Sequence, residues 1–251
     1  MITTTQNGRV LHVALNRPEK RNALDVAMCR DLVHAFDHAD TDHSVGAIVL
    51  SGNGPSFCAG MDLRESLETD QVQLASIHER LYSTIQHIRK PIIAGVHGAA
   101  LAGGTGLVAN AHIVVAHPDA RFGLTEVKIG LWPVLIFRAM EHAIGERRTV
   151  ELSLTAREFT SAEGLEYGLV TEISADPLAR ATAIAEKIST YSPIAIGVGL
   201  DYVHQIRGGD WANAGKIGRV MRDRLLNNPD FAEGVRAFTE KRSPDWPSLQ
   251  S

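Results

Sequence analysis

The 251-residue sequence has only two cysteines, Cys29 and Cys58, too few for a disulfide scaffold in so long a chain and no pointer to an oxidising compartment. It has no apolar run near the roughly 20 residues that a membrane-spanning helix needs. The opening residues, Met1-Ile-Thr-Thr-Thr-Gln-Asn-Gly8, lack the basic and apolar stretches of a secretory signal, so the cytoplasm is the expected location. Neither charge dominates: 25 Lys and Arg against 29 Asp and Glu give a formal net charge of −4. That balance argues against a general nucleic-acid or anionic-membrane surface, so neither partner is expected. There is no zinc-type His/Cys cluster, no G-x-S-x-G elbow, no P-loop, no internal repeat and no low-complexity tract. His34 and His38 have the spacing of metal ligands on a helix, but Leu32 and Phe36 mark the opposite face as buried, which leaves both histidines solvated.

What is present is an α/β pattern. Val10–Leu15, residues 46–50, Ile92–Val96 and Ile113–Ala116 read as strands, the first preceded by the Asn7-Gly8 turn signal. Helical spacing of Leu24, Met28, Leu32, Phe36 and Ala39 predicts a first helix, Met61-Asp62-Leu63 a helix start, and residues 72–88 a long amphipathic helix stopped at Lys90-Pro91. Gly98 to Gly106 opens a short helix reaching Ala111. Beyond Pro133 the pattern turns mostly helical, interrupted by a late strand over residues 168–173, and Ser192-Pro193 reads as a junction. The organisation expected is a core over residues 1–192 and a helical region over 193–251.

Three segments carry candidate chemistry. Ala102-Gly103-Gly104-Thr105-Gly106 follows a buried strand, where glycines admit a ligand to the backbone and a helix N-terminus offers free N–H groups; an ordinary tight turn fits equally. Its Gly104–Ala109 stretch also fits the dinucleotide pattern G-x-G-x-x-A of an NAD-type oxidoreductase, but the following helix is too short for a Rossmann crossover and no acidic residue ends the next strand. Phe57-Cys58-Ala59-Gly60-Met61-Asp62-Leu63 is a second turn able to present N–H groups, with an ordinary loop as the alternative; two such turns could place two donors on one oxygen. Cys58 lacks a suitably placed histidine and reads as a structural thiol. Glu126 sits among apolar residues in Phe122–Pro133, where its carboxylate can be a proton shuttle of raised pKa or pair at the surface with Lys128.

Together these segments resemble the crotonase (enoyl-CoA hydratase/isomerase) superfamily along nearly the whole chain. The resemblance rests on six stretches in the family's order: Asn16–Leu24, Phe57–Leu63, His97–Gly104, Ala120–Leu131, Ala162–Val170 and Phe238–Pro244. It implies a spiral of ββα units with a C-terminal helical trimerisation region, a homotrimer or dimer of trimers, and an acyl-CoA thioester as substrate with no separate cofactor and no metal. Carried over by position, the oxyanion donors would be the backbone N–H groups of Met61 and Gly103, and Glu126 the proton carrier. Ala59 would meet the adenine through its carbonyl, Arg21, Ala23 and Leu63 would line the coenzyme path, and Phe238 and Lys241 would approach the nucleotide from a neighbouring subunit.

Two positions depart from the family pattern. Its hydratases carry two glutamates; Glu126 matches the second, while Gly106 occupies the place of the first and offers no side chain. Its dehalogenases and diene isomerases use an aspartate where this chain has Val134, which argues against both chemistries. The expectation is therefore an enoyl-CoA enzyme in which one carboxylate moves a double bond, with hydration as the alternative and a non-catalytic or RNA-associated family member as a remoter one. The space vacated at Gly106 is expected either to leave hydration without its second group or to enlarge the acyl pocket.

Overall fold

The computed structural model describes residues 1–250. The polar strand β1 (Ile2–Asn7) turns at Gly8 into β2 (Val10–Leu15), and the pair is antiparallel, with Ile2 opposite Leu15. Helix α1 (Val26–Thr41) leads to β3 (Ala47–Gly52); the short α2 (Glu65–Glu68) and the long α3 (Gln71–His87) lead to β4 (Ile92–Val96). Then come β5 (Ala99–Leu101), α4 (Gly103–Asn110), β6 (Ile113–Ala116) and β7 (Arg121–Gly123). Helices α5 (Val134–Ile144) and α6 (Glu146–Thr155) precede β8 (Glu158–Thr160), α7 (Ser161–Tyr167), β9 (Glu172–Ile173) and α8 (Pro177–Ser189). Three helices follow the junction: α9 (Pro193–Ile206), α10 (Trp211–Leu226) and α11 (Pro229–Glu240). No helix is long and apolar enough to cross a membrane among the described residues.

The main sheet has six strands in the order β1-β2-β3-β4-β6-β9, parallel from β2 onward. Parallel strands covered on both faces read as continuous apolar runs, and all of β3 and β4 is buried. Their alternation divides the core: Ile48, Leu50, Ile92, Ala94 and Val96 face the large cluster under α1 and α3, while Ala47, Val49 and Ile93 face a smaller one closed by Ala181 and Ala185 of α8.

A second sheet, β5-β7-β8, stands apart from the first, and Cys58 adds to its edge through a parallel bridge to Ala100. This layer differs from the sequence expectation. Ala99–Leu101 is strand in the stretch read as opening a helix, Phe122-Gly123 is strand where loop was expected, and β8 lies in a stretch read as helical. Each strand has three residues, too few for a period-2 pattern to emerge. Likewise Met61 enters no helix: it forms a parallel bridge with Leu24, and helix begins only at Glu65. The late strand keeps only Glu172-Ile173 of the six residues expected.

Candidate active site

Two turns meet where the second sheet ends. The first runs from Phe57 to Asp62 and is held on both sides. The Phe57 and Cys58 N–H groups donate to His97 and Ala99, the Ala59 N–H to Arg21, and the Asp62 N–H to Leu24. At its apex Gly60 has φ +91°, and a Cβ there would stand 2.9 Å from the Ala102 Cβ, so the position requires glycine for both conformation and space. The second turn carries Ala102, at φ 49° and ψ −120°, into Gly103, the first residue of α4. A Cβ on Gly103 would lie 3.7 Å from the Gly60 Cα and 2.7 Å from the Tyr82 hydroxyl. The two turns are thus in contact through their glycines. Neither the Met61 nor the Gly103 N–H donates to an acceptor in the chain among the described residues. Both are donors free to meet an external oxygen, and at Gly103 the start of α4 adds its partial positive charge.

Two buried side chains that sequence reasoning missed hold the second turn. Tyr82 of α3 is 4% exposed and donates its hydroxyl to the Gly103 carbonyl at 2.9 Å. Thr105 is fully buried; its hydroxyl donates toward the Ala100 and Gly123 carbonyls (2.7 and 2.9 Å) and accepts the Gly123 N–H at 3.2 Å. It therefore links the first turn of α4 to β5 and to β7, three residues ahead of Glu126. The Thr105 sequence context, Gly104-Thr105-Gly106, carries a weak signal for this role, a lone hydroxyl inside a glycine run. Tyr82 carries none, being one of several apolar positions on an amphipathic helix.

Glu126 opens a 3-10 turn over Glu126–Ile129 and is half buried. Its Oε2 is shielded from solvent with no hydrogen-bond partner, and burial raises its carboxyl above the usual carboxylate range. The alternative pairing with Lys128 is absent; Lys128 is exposed and makes no ion pair among the described residues. Its surroundings are those of a desolvated carboxyl and not of a surface ion pair.

Gly106 corrects one expectation. The space beside it is not an enlarged pocket: a Cβ there would stand 2.8 Å from the Ile136 Cβ and 3.2 Å from the Tyr82 ring. Ile136 comes from α5 and is 3% exposed. Val134, two residues earlier, is 71% exposed and apolar, with no carboxylate to offer.

The loop before α1 forms one wall of a cleft of about 290 Å³, in which Arg21, Ala23, Met61 and Leu63 come together with Lys20 and Arg64. The loop is stiffened from within. Arg17 donates to the Ala23 carbonyl at 2.7 Å and pairs with Asp25 and Asp62, each at 3.1 Å. Fully buried Asn22 accepts the Arg17 N–H and donates to the Asn53 and Ser56 carbonyls. Asp62 also accepts the Arg64 N–H at 3.2 Å, so it fixes the approach to α2 and keeps its carboxyl below the usual range. Arg21 itself is left-handed, at φ 50°, with its side chain exposed. Ala59 lies beside this loop through its bond to the Arg21 carbonyl. Phe238 and Lys241 stand elsewhere in the chain: Phe238, 86% exposed, lines a separate apolar cavity with Phe231 and Trp246, and Lys241 caps the end of α11. Cys29 and Cys58 are buried free thiols, and burial pushes Cys58 up to about 12, which removes it as a nucleophile.

Comparison with known proteins gives the geometry its context. The family model described as "Enoyl-CoA hydratase/isomerase" matches residues 5–249. The chain is 33% identical over 254 residues to the enoyl-CoA hydratase EchA19 of Mycobacterium tuberculosis, covering 96% of this chain and 94% of that one. It is 36% identical over 213 residues to the mitochondrial Delta(3,5)-Delta(2,4)-dienoyl-CoA isomerase of Rattus norvegicus, covering 77% of this chain and 65% of the relative. A crystal structure of an enoyl-CoA hydratase from Mycobacterium smegmatis superposes with a TM-score of 0.92 at 31% identity, covering 98% of each chain.

Proposed function

The chain belongs to the enoyl-CoA hydratase/isomerase family, and on that premise we propose that it shifts the double bond of an enoyl-CoA thioester by proton transfer through Glu126. The thioester oxygen would accept from the Met61 and Gly103 N–H groups. As Glu126 takes a proton from the α carbon, the electron pair moves onto that oxygen, and the two donors stabilise the enolate by roughly 3 kcal/mol each. Glu126 then returns the proton to the γ carbon, and the double bond moves into conjugation. Atoms and charge balance without a cofactor; coenzyme A belongs to the substrate.

The observation carrying the isomerase reading is the filled space at Gly106. Hydration ordinarily uses a second group to orient water, and here Ile136 and the Tyr82 ring stand beside the position where that carboxylate would begin. A lone, partly desolvated carboxylate whose Oε2 has no partner suits a proton that leaves and returns. A hydratase reading has its own support in the relative EchA19, named as a hydratase. The ratio of 3-enoyl isomerisation to 2-enoyl hydration in the unmodified protein decides between them, and dominant hydration across chain lengths would refute the single-carboxylate mechanism.

The coenzyme would lie along the cleft of Arg21, Ala23 and Leu63, with its adenine at the Ala59 carbonyl. The nucleotide end would be met by Phe238 and Lys241 of a neighbouring copy in a trimer or dimer of trimers. Exposed Trp211, Val220 and Phe238 on α10 and α11 support that assembly. Sedimentation at micromolar concentration tests it, and a clean monomer contradicts it.

A further inference from the structure

The turn that presents the Gly103 N–H is held against its own preferences. Ala102 has φ 49° and ψ −120°, a region alanine adopts only at a cost, and Gly103 has no side chain of its own to anchor it. Something outside the turn must fix its direction. Within α4, Thr105 holds the helix from below, through the carbonyls of β5 and β7. From the other side comes Tyr82, whose ring lies against Gly106 and whose hydroxyl reaches the Gly103 carbonyl.

We propose that Tyr82 is a positioning residue for the oxyanion site, its hydroxyl anchoring from α3, 21 residues earlier in the chain, the Gly103 carbonyl, which belongs to the peptide next to the one that carries the Gly103 N–H and is joined to it at the Gly103 Cα. The inference rests on the reading of the Gly103 N–H as a thioester donor. Three features of the contact favour this role over a plain packing role. The hydroxyl lands on the donor residue itself, although buried tyrosine hydroxyls need only some partner. It does so at close quarters, for a Cβ on Gly103 would be 2.7 Å from it, so the Gly103 Cα, the hinge between the bonded carbonyl and the N–H, is blocked from moving toward α3. And burial, with Cys58, Cys29 and Glu126 nearby, raises its pKa well above the ordinary phenol value, so it remains a donor throughout the working pH range. A donor aimed at the enolate oxygen contributes most in the transition state, so losing the aim lowers turnover more than ground-state binding.

The test is Tyr82→Phe, which keeps the ring and removes only the hydroxyl. Expected are a kcat lower by about tenfold, a KM within about twofold, and a carbonyl infrared band of bound saturated acyl-CoA moved toward its free frequency. An unchanged band, or a kcat within about twofold of the parent, overturns the proposal; so does a loss of acyl-CoA affinity as large as the loss of kcat, which signals general loosening. If the phenylalanine variant fails to fold, a 3-fluorotyrosine at position 82, a stronger donor, must shift the band away from the parent position, and no shift is equally fatal. The saturated acyl-CoA separates this from the proposed function: a parent protein whose bound thioester band matches free acyl-CoA sinks the oxyanion reading itself, whereas a shifted parent band unaltered at Tyr82 sinks only the inference.

Discussion

The Cβ of Ile136 lies 2.8 Å from the point where a side chain on Gly106 would begin, so these two residues, thirty positions apart, share a single volume. Gly106→Ala should therefore destabilise the protein by about 1–3 kcal/mol, despite alanine's better helix propensity, because a packed β-branched side chain has to move. Combining it with Ile136→Ala should cost less than the two changes summed, and denaturant melts of the four proteins in the cycle measure that coupling. Gly106→Glu should confer no hydratase activity, since its carboxylate has no room on this face; a gain of hydration would refute the packing argument.

Glu126→Gln should abolish turnover and leave saturated acyl-CoA binding nearly unchanged, because the amide keeps the shape but loses the base. In the parent, activity requires the ionised carboxylate, so kcat should fall on acidification at a pH above the ordinary glutamate value of 4.5. The same shift affects stability with a definite sign. A carboxyl whose folded pKa is raised stabilises the fold when protonated, and that contribution is lost as pH rises through the folded pKa. Glu126→Gln should thus melt higher than the parent near pH 8, and the gap should close toward pH 4; a constant gap would mean the carboxylate is not desolvated.

How much of this was legible in the sequence differs from layer to layer. Ile92–Val96 and Ile113–Ala116 announced themselves because a strand buried on both faces is an unbroken apolar run. The second sheet did not, since a three-residue strand such as Ala99–Leu101 offers no repeat, and its pairing with Arg121–Gly123 is a contact between distant segments. Gly60, Gly103 and Glu126 could be found from residue types that suit the proposed chemistry, and Arg21, Ala23, Met61 and Leu63 do share one cleft. Tyr82 and Ile136 could not: each is an ordinary apolar position on its helix, and only the crossing of α3, α4 and α5 brings them onto the glycine face. The left-handed backbone at Arg21 was equally silent, whereas at Asn22 it falls on a residue type that tolerates it, and the Arg17 and Asn22 hydrogen bonds hold the loop.

Ala102→Gly should raise stability by about 1 kcal/mol, because the backbone at φ 49° and ψ −120° suits glycine. The denaturant midpoint should move up with an unchanged slope. A lower midpoint would show that the Ala102 methyl, which packs toward Gly60, outweighs the strain.

Thr105→Val should cost about 1–3 kcal/mol, since it strands the Gly123 N–H and leaves the Ala100 and Gly123 carbonyls without their shared donor. Activity should fall by more than the loss of folded protein accounts for, because β7 leads directly to Glu126. Specific activity corrected for the folded fraction, read by circular dichroism, checks this; a proportional fall would confine Thr105 to stability.

If the chain handles enoyl thioesters as proposed, the burial of Cys58 has a chemical consequence. A 2-enoyl-CoA is an electrophile at its β carbon, and a thiolate nearby would add to it and leave a covalent adduct. Cys58 stands three residues before Met61 in the same turn. It is fully enclosed, and its thiol is pushed up to about 12, so at neutral pH almost none is ionised. On the proposed function, the packing that shapes the turn therefore also keeps this thiol from adding to an enoyl thioester bound beside it.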